Sequence, residues 1–207
     1  MFKLTLNEYT QAIIILPECF PDMAIKIKSP LSAACIKQLR SGDQVLISGI
    51  LYVARDAAHK RIIEAMEDGQ QPPFEIAGQT IYYMGPSPAR PGHCIGSAGP
   101  TTSGRMDAYS MQMLEAGLCC MIGKGPRSPE VKKSMQRSKS IYCAAIGGAG
   151  ALLSKCILNS EIIAYPDLGA EALRRIEVTL FPAIVINDIY GGDLYESGRA
   201  KFVQTPH

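Results

Sequence analysis

Apolar positions along this chain switch repeatedly between a period of two and a period near 3.6, so strands and helices are predicted to alternate. The run Met-Ala-Ile-Lys-Ile-Lys from Met23 alternates as a strand does, over 24–28. Ser29-Pro30 then reads as a helix N-cap with proline at the first helical position, the helix running to about Arg40 and stopping at Ser41-Gly42-Asp43. Residues 44–54 are rich in Val, Ile and Leu and predict a strand, with Gly49 as a bulge. Arg55 opens the next helix, where Ala58, Ile62, Ala65 and Met66 recur at helical spacing. Further strands are predicted over 80–84, 118–122, 141–146 and 161–165, and as two pieces, 177–180 and 183–187, divided by Phe181-Pro182. Between them lie a helix ending near Gly117, a polar helix capped by Ser128-Pro129-Glu130 that runs to about Lys139, and a helix over 151–157. No internal repeat interrupts this alternation. The fold class is α/β with a parallel or mixed sheet. Residues 1–22 do not share the pattern and are set apart as an N-terminal extension to a domain at 23–207, with Met23 as an alternative initiator.

Candidate chemistry gathers between the elements. The stretch 96–107 reads Gly-Ser-Ala-Gly-Pro-Thr-Thr-Ser-Gly-Arg-Met-Asp, in which the glycines allow close approach of backbone to a ligand. Thr101, Thr102 and Ser103 are natural N-cap types, and a helix start there would offer free N–H groups to an anion. Thr101 and Arg105 are four apart, hence on one face of a helical turn. An ordinary capped helix after a glycine loop explains the same residues. Arg55 stands at the end of a predicted strand, where α/β folds place ligands, and His59 lies one turn further on the same helix face. Lys124, between Gly123 and Gly125, ends another strand. Two guanidiniums and an ammonium suit a small dicarboxylate, since arginine grips a carboxylate through two parallel hydrogen bonds. Three unrelated surface cations remain the plain alternative.

Composition narrows the choice. The 207 residues, 47% hydrophobic, make one good-sized domain with a real core, and a net charge of +2 points to neither a nucleic-acid nor a membrane surface. No apolar run approaches the ~20 residues that span a bilayer. The apolar run 12–16 is too short for a signal peptide, so a cytoplasmic protein is expected. Seven cysteines (19, 35, 94, 119, 120, 143, 156) form no CxxC pair and read as reduced core thiols, and three scattered histidines make no zinc set. A dinucleotide fingerprint starting at Gly148 and Gly150 fails at Leu153, and no Walker loop exists.

Three stretches carry a resemblance. Val53-Ala54-Arg55-Asp56-Ala57-Ala58-His59-Lys60-Arg61, Gly99-Pro100-Thr101-Thr102-Ser103-Gly104-Arg105-Met106-Asp107 and Ile122-Gly123-Lys124-Gly125 resemble the iron–sulfur (class I) fumarases. The nearest likeness is to their separately encoded β subunit, which is similar to the β subunit of L(+)-tartrate dehydratase. Gly147-Gly148-Ala149-Gly150-Ala151-Leu152-Leu153 and Phe181-Pro182-Ala183 agree as well, and the likeness runs over about 24–195. The resemblance implies a swivelling β/β/α domain, a mixed sheet flanked by helices, forming one half of a hydro-lyase that hydrates fumarate to (S)-malate. It implies an iron–sulfur α subunit as partner in a heterotetramer, whose cysteines hold a four-iron–four-sulfur cluster, with none bound by this chain. By motif, Thr101 matches the threonine proposed to take the proton from carbon, and Arg55, Arg105 and Lys124 match the cations that hold the carboxylates. Thr102 and His59 are counted with the substrate-binding set, and Asp107 or Arg105 is expected to activate Thr101. The isolated chain is expected to be inactive, with an open groove near Thr101 that a homodimer could cover. Dehydration of tartrate to oxaloacetate, or a non-catalytic anion-binding module, are the alternatives.

Overall fold

Short runs of β-branched and aliphatic residues build the sheet of this protein, whose computed structural model describes residues 24–200. The N-terminal extension expected at 1–22 lies outside the described residues. Strands β1 (Ile25–Ser29), β2 (Gln44–Val53), β3 (Thr80–Tyr82), β4 (Cys120–Gly123) and β5 (Ile141–Ala144) run parallel, each paired to the next. Strands β6 (Ile157–Ala164) and β7 (Leu173–Asn187) complete it, β7 lying antiparallel to β2, β5 and β6. Because β7 pairs with both β5 and β2, the series β2–β3–β4–β5–β7 returns to its start and the sheet closes on itself. Helices α1 (Ala33–Gln38), α2 (Asp56–Glu67), α3 (Asp107–Glu115), α4 (Pro129–Ser138), α5 (Gly150–Leu153) and α6 (Leu194–Ala200) join or follow the strands, giving a mixed α/β architecture with flanking helices.

Alternation along the strands divides the apolar residues between two cores. Cys120 and Ile122 pack with Ile47, Leu51, Phe181 and Val185. Met121, between them, turns to the other core with Ile62, Met113, Val131 and Met135 from α2, α3 and α4. Burial of each such side chain contributes roughly 1.5–3 kcal/mol. The α4 cap is as the sequence predicts: Ser128 Oγ accepts from Val131 N at 3.3 Å, Pro129 fills the first turn, and Lys139 ends the helix at φ 54°. Gly49 is also a bulge, at φ 109°, where a Cβ would lie 2.2 Å from the Ser29 carbonyl oxygen.

Two expectations are corrected. Ser29 does not cap α1; it remains in β1 opposite Gly49, with its hydroxyl donating to Thr80 Oγ1 at 3.1 Å. Ser32 caps the helix instead, its Oγ accepting from Cys35 N at 3.2 Å. Phe181-Pro182 does not divide two strands, since β7 runs unbroken for 15 residues. Leu180 absorbs the irregularity at φ 47°, and its N–H donates to Ser48 Oγ at 3.0 Å, so that donor is satisfied.

Parallel pairing has one consequence for function. The C-terminal ends of β2, β3, β4 and β5 all open on the same side, and the chain leaves them at Arg55, Tyr83, Lys124 and Ala145.

Candidate functional site

The segment after Gly99 is stitched between two strand ends. Thr101 N donates to the Tyr83 carbonyl at 2.7 Å, Lys124 N donates to the Thr101 carbonyl at 3.2 Å, and Ser103 N donates to the Lys124 carbonyl at 2.8 Å. This ladder sets Thr101 and Thr102 beside Lys124. A tight 3₁₀ turn, Ser103–Met106, then leads into α3, with no side-chain cap from Thr102. The close passage of this segment over β4 requires Gly123, where a Cβ would stand 2.1 Å from Ser103 Oγ.

An open cleft of about 350 Å³ lies at these strand ends, its walls including Gly85, Ser97, Gly99, Pro100, Lys124 and Gly148. That volume is at the small end for ligand sites. Its floor is formed where Gly150 meets Gly99: a Cβ on Gly150 would fall 2.8 Å from Gly99 N and 2.4 Å from Ser97 Oγ. Lys124 is exposed on the cleft wall, its Cδ 3.7 Å from where a Cβ of Gly147 would be. Arg55 lies against Gly85, with Nη1 2.7 Å from the position a Cβ would take there. Its Nη2 is 3.1 Å from Glu171 Oε1, and Glu171 Oε2 accepts from Ala57 N at 3.2 Å, supplying the α2 cap that Arg55 does not. Arg105 Nε donates to Asp56 Oδ1 at 2.9 Å.

The remaining site candidates lie below this rim. His59 is fully buried, with Nδ1–H donating to the Arg55 carbonyl at 2.8 Å and the ring packed against Tyr83 and Tyr109. Burial pushes its pKa down to about 4, so the ring is neutral at pH 7 and supports Arg55 from beneath without reaching the cleft. Asp107 has both carboxylate oxygens engaged in the scaffold: Oδ1 accepts from Arg127 Nε and Oδ2 from Ser128 N, each at 2.7 Å. Of the predicted site residues, Lys124 lines the cleft, Thr101 and Thr102 are laddered to Lys124, Arg55 abuts Gly85 of the wall, and Arg105 is tied to Asp56, while His59 and Asp107 are held in the scaffold.

Sequence reading did not single out Arg127. Its guanidinium is buried, donating to Asp107, to the Tyr83 hydroxyl at 3.3 Å and to Ser110 Oγ, and lies 5.3 Å from the Tyr83 and Tyr142 ring centroids. Tyr142, whose phenol burial holds in the protonated form, donates to the Gly125 carbonyl at 2.8 Å and meets Ser103 Oγ at 2.8 Å. Through these bonds the buried arginine and tyrosine hold both flanks of the Thr101–Lys124 ladder. Glu171 and Asp56 also went unassigned. Asp56 sits within a quoted motif, but nothing in its spacing shows that it reaches Arg105.

Similarity to known proteins bears on this arrangement. The family model described as Fumarase C-terminus matches residues 8–198, starting inside the segment set apart at 1–22. The chain belongs to that family. Fumarate hydratase 2 of Leishmania major is 39% identical over 167 residues, covering 80% of this chain and 29% of the relative. The aerobic class I fumarate hydratase of Escherichia coli K12 is 37% identical over 165 residues, 79% of this chain and 30% of the relative. A Methanocaldococcus jannaschii protein, provisionally named L(+)-tartrate dehydratase subunit beta, is 34% identical over 173 residues, 80% of this chain and 88% of the relative. The matched part of this Fumarase C-terminus chain thus spans about three tenths of each of these two fumarate hydratases.

The iron–sulfur cluster implied by the class I resemblance does not fit this chain's described residues. No three Cys, His, Asp or Glu side chains gather there as a metal-binding group. Cys119 donates its thiol to the Gly78 and Gln79 carbonyls and burial pushes its pKa up to about 11, the reverse of what a thiolate ligand needs. No described helix is long and apolar enough to cross a membrane.

Proposed function

We propose that this chain is the β subunit of a heteromeric class I fumarate hydratase, supplying the carboxylate-binding and proton-transfer groups for reversible hydration of fumarate to (S)-malate. The observation that carries the reading is the strand-end cleft with Lys124 on its wall and Arg55 against Gly85 of that wall, Arg105 being tied to the neighbouring Asp56. The cluster would belong to a partner α subunit in a heterotetramer, and this chain's steps do not run through it.

On this reading Arg55, Arg105 and Lys124 hold the two carboxylates, with Thr102 at the rim and His59 supporting Arg55. In the malate-to-fumarate direction Thr101 takes a proton from the carbon next to a carboxylate. Negative charge then spreads onto that carboxylate, where fixed cations lower the barrier more than they lower the ground state. The electron pair next forms the carbon–carbon double bond as the hydroxyl leaves the neighbouring carbon as hydroxide. A threonine hydroxyl is a weak base at neutral pH and needs activation. Asp107 accepts from Arg127 and Ser128, so Arg105 is the group assigned to that task. Thr101 lies in the extended ladder before the 3₁₀ turn that carries Arg105, so the two do not share a helical face as their spacing predicted. Arg105 would act by its positive charge, which favours the alkoxide.

Combining the chain with a cluster-bearing α subunit tests the reading. Hydration of fumarate is expected only when both are present. Dehydration of L(+)-tartrate to oxaloacetate is the second reading, favoured by one observation: the relative this chain covers almost end to end carries the tartrate dehydratase β name. The two substrates differ by one hydroxyl, so assays of the same complex on both acids decide between them. A purely anion-binding role would leave the complex inert while the lone chain bound fumarate, in calorimetry, with Arg105→Ala abolishing the heat.

A further inference from the structure

We infer that Asp56 is a positioning residue that yokes Arg55 to Arg105, so that the two guanidiniums meet a substrate carboxylate as one preset receptor. The substrate's identity rests on the hydro-lyase reading above; the yoke itself does not.

Asp56 is the first residue of α2, directly after Arg55 in extended conformation. Its Oδ1 accepts from Arg105 Nε at 2.9 Å, across 49 positions of sequence. Its Oδ2 is buried with no hydrogen-bond partner, and so is Arg55 Nε; the two atoms stand 3.9 Å apart. A buried charged acceptor and a buried charged donor left unsatisfied are each costly. Here each is the other's missing partner, and a relative shift of roughly 1 Å brings them within hydrogen-bonding range. After that shift one carboxylate would serve both arginines through their Nε edges.

The other contacts leave part of each guanidinium's outward edge unspent. Glu171 takes Arg55 Nη2, and Nη1 remains against Gly85, where the cleft begins. Arg105 is half exposed, and its two Nη nitrogens make no hydrogen bond among the described residues. Two like charges this close repel unless a counter-charge lies between them. Asp56 supplies that charge and also removes the side-chain freedom that binding would otherwise have to freeze.

A plain counter-charge would act differently, and the sign of one constant separates the two roles. If Asp56 only diluted the positive field, its neutralisation would strengthen attraction for a dianion and lower KM. If it orients the arginines, neutralisation raises KM. In the complex with the iron–sulfur subunit, Asp56→Asn is expected to raise KM for fumarate about tenfold, a modest share of what a misplaced binding group can cost. Asp56→Glu keeps the charge but moves the carboxylate by one methylene, so a few-fold rise is expected there too, and it serves if the Asn variant does not fold. A KM lowered or unchanged in both variants overturns the yoke. If the wild-type complex turns over neither fumarate nor L(+)-tartrate, the hydro-lyase reading fails instead. The yoke is then read on the lone chain by NMR: the Arg105 Nε–H should exchange slowly in the wild type and quickly in Asp56→Asn, and equal exchange would refute it.

Discussion

Two aspartate–arginine pairs flank the start of α3, alike in chemistry and opposite in setting. The Arg127 side chain is 0% exposed, and its donors go to Asp107, Tyr83 and Ser110. The Arg105 side chain is 52% exposed and, among the described residues, is held only through Nε by Asp56. A buried guanidinium must satisfy its donors within the protein, because an unpaired charge there is strongly destabilising. A half-exposed one can leave donors to solvent or a ligand. The number of donors the protein itself satisfies, more than the presence of an arginine, separates these two settings.

The largest expected effect lies on the scaffold side. Arg127→Met strands Asp107 and the hydroxyls around it, and should cost about 3–5 kcal/mol of unfolding free energy in a urea titration. A loss below about 1 kcal/mol would mean that the buried pair is not a scaffold. Lys124→Ala gives the converse pattern. On the proposed function, activity of the complex with the iron–sulfur subunit should fall about 10²–10³-fold, as for loss of one fixed group facing developing charge. Stability of this exposed position should change by no more than about 0.5 kcal/mol.

His59 provides a pH test of the layer beneath Arg55. Its folded pKa of about 4 lies below the ordinary 6.5, so the unfolded chain binds the extra proton between those values. Stability should therefore be full above about pH 6.5 and decline as pH falls towards 4, by on the order of 3 kcal/mol in total. Equilibrium unfolding at stepped pH reads that slope, and His59→Phe should flatten it. The smallest effect is expected from Tyr142→Phe, which removes one donor from the Gly125 carbonyl and one partner from Ser103, for about 1 kcal/mol. Its use is to ask whether a small loss in the scaffold loosens the Lys124 loop, read as a rise in KM without a matching loss of stability.

Much of this was legible in the chain itself. Apolar alternation located the parallel strands, Ser128-Pro129 announced the α4 cap, and Gly49 marked its bulge because only glycine fits against Ser29. The residue types of Arg55, Arg105 and Lys124, at strand ends or a glycine loop, pointed to anion chemistry before any geometry was known. What stayed hidden depends on convergence across long separations. Arg127 follows Gly-Lys-Gly-Pro and reads as a solvent-facing loop residue; its burial depends on Tyr83, Asp107, Ser110 and Tyr142, which no periodicity brings together. Glu171 caps α2 from 114 positions beyond Ala57. Pro182 reads as a strand break because the positive φ that rescues β7 belongs to Leu180, a residue type with no preference for it. Asp107 or Arg105 was expected to activate Thr101; the bonds from Arg127 and Ser128 to the two Asp107 oxygens could not be read from sequence proximity.

The central claim is that the strand-end cleft is the carboxylate-holding part of a site completed by another subunit. Fumarate hydration measured with this chain alone, with the iron–sulfur subunit alone and with both together tests it most directly. Turnover only in the mixture, lost with Lys124→Ala while the variant remains folded, is the predicted result. Full-rate turnover by this chain alone, or a mixture indifferent to Lys124, would contradict it.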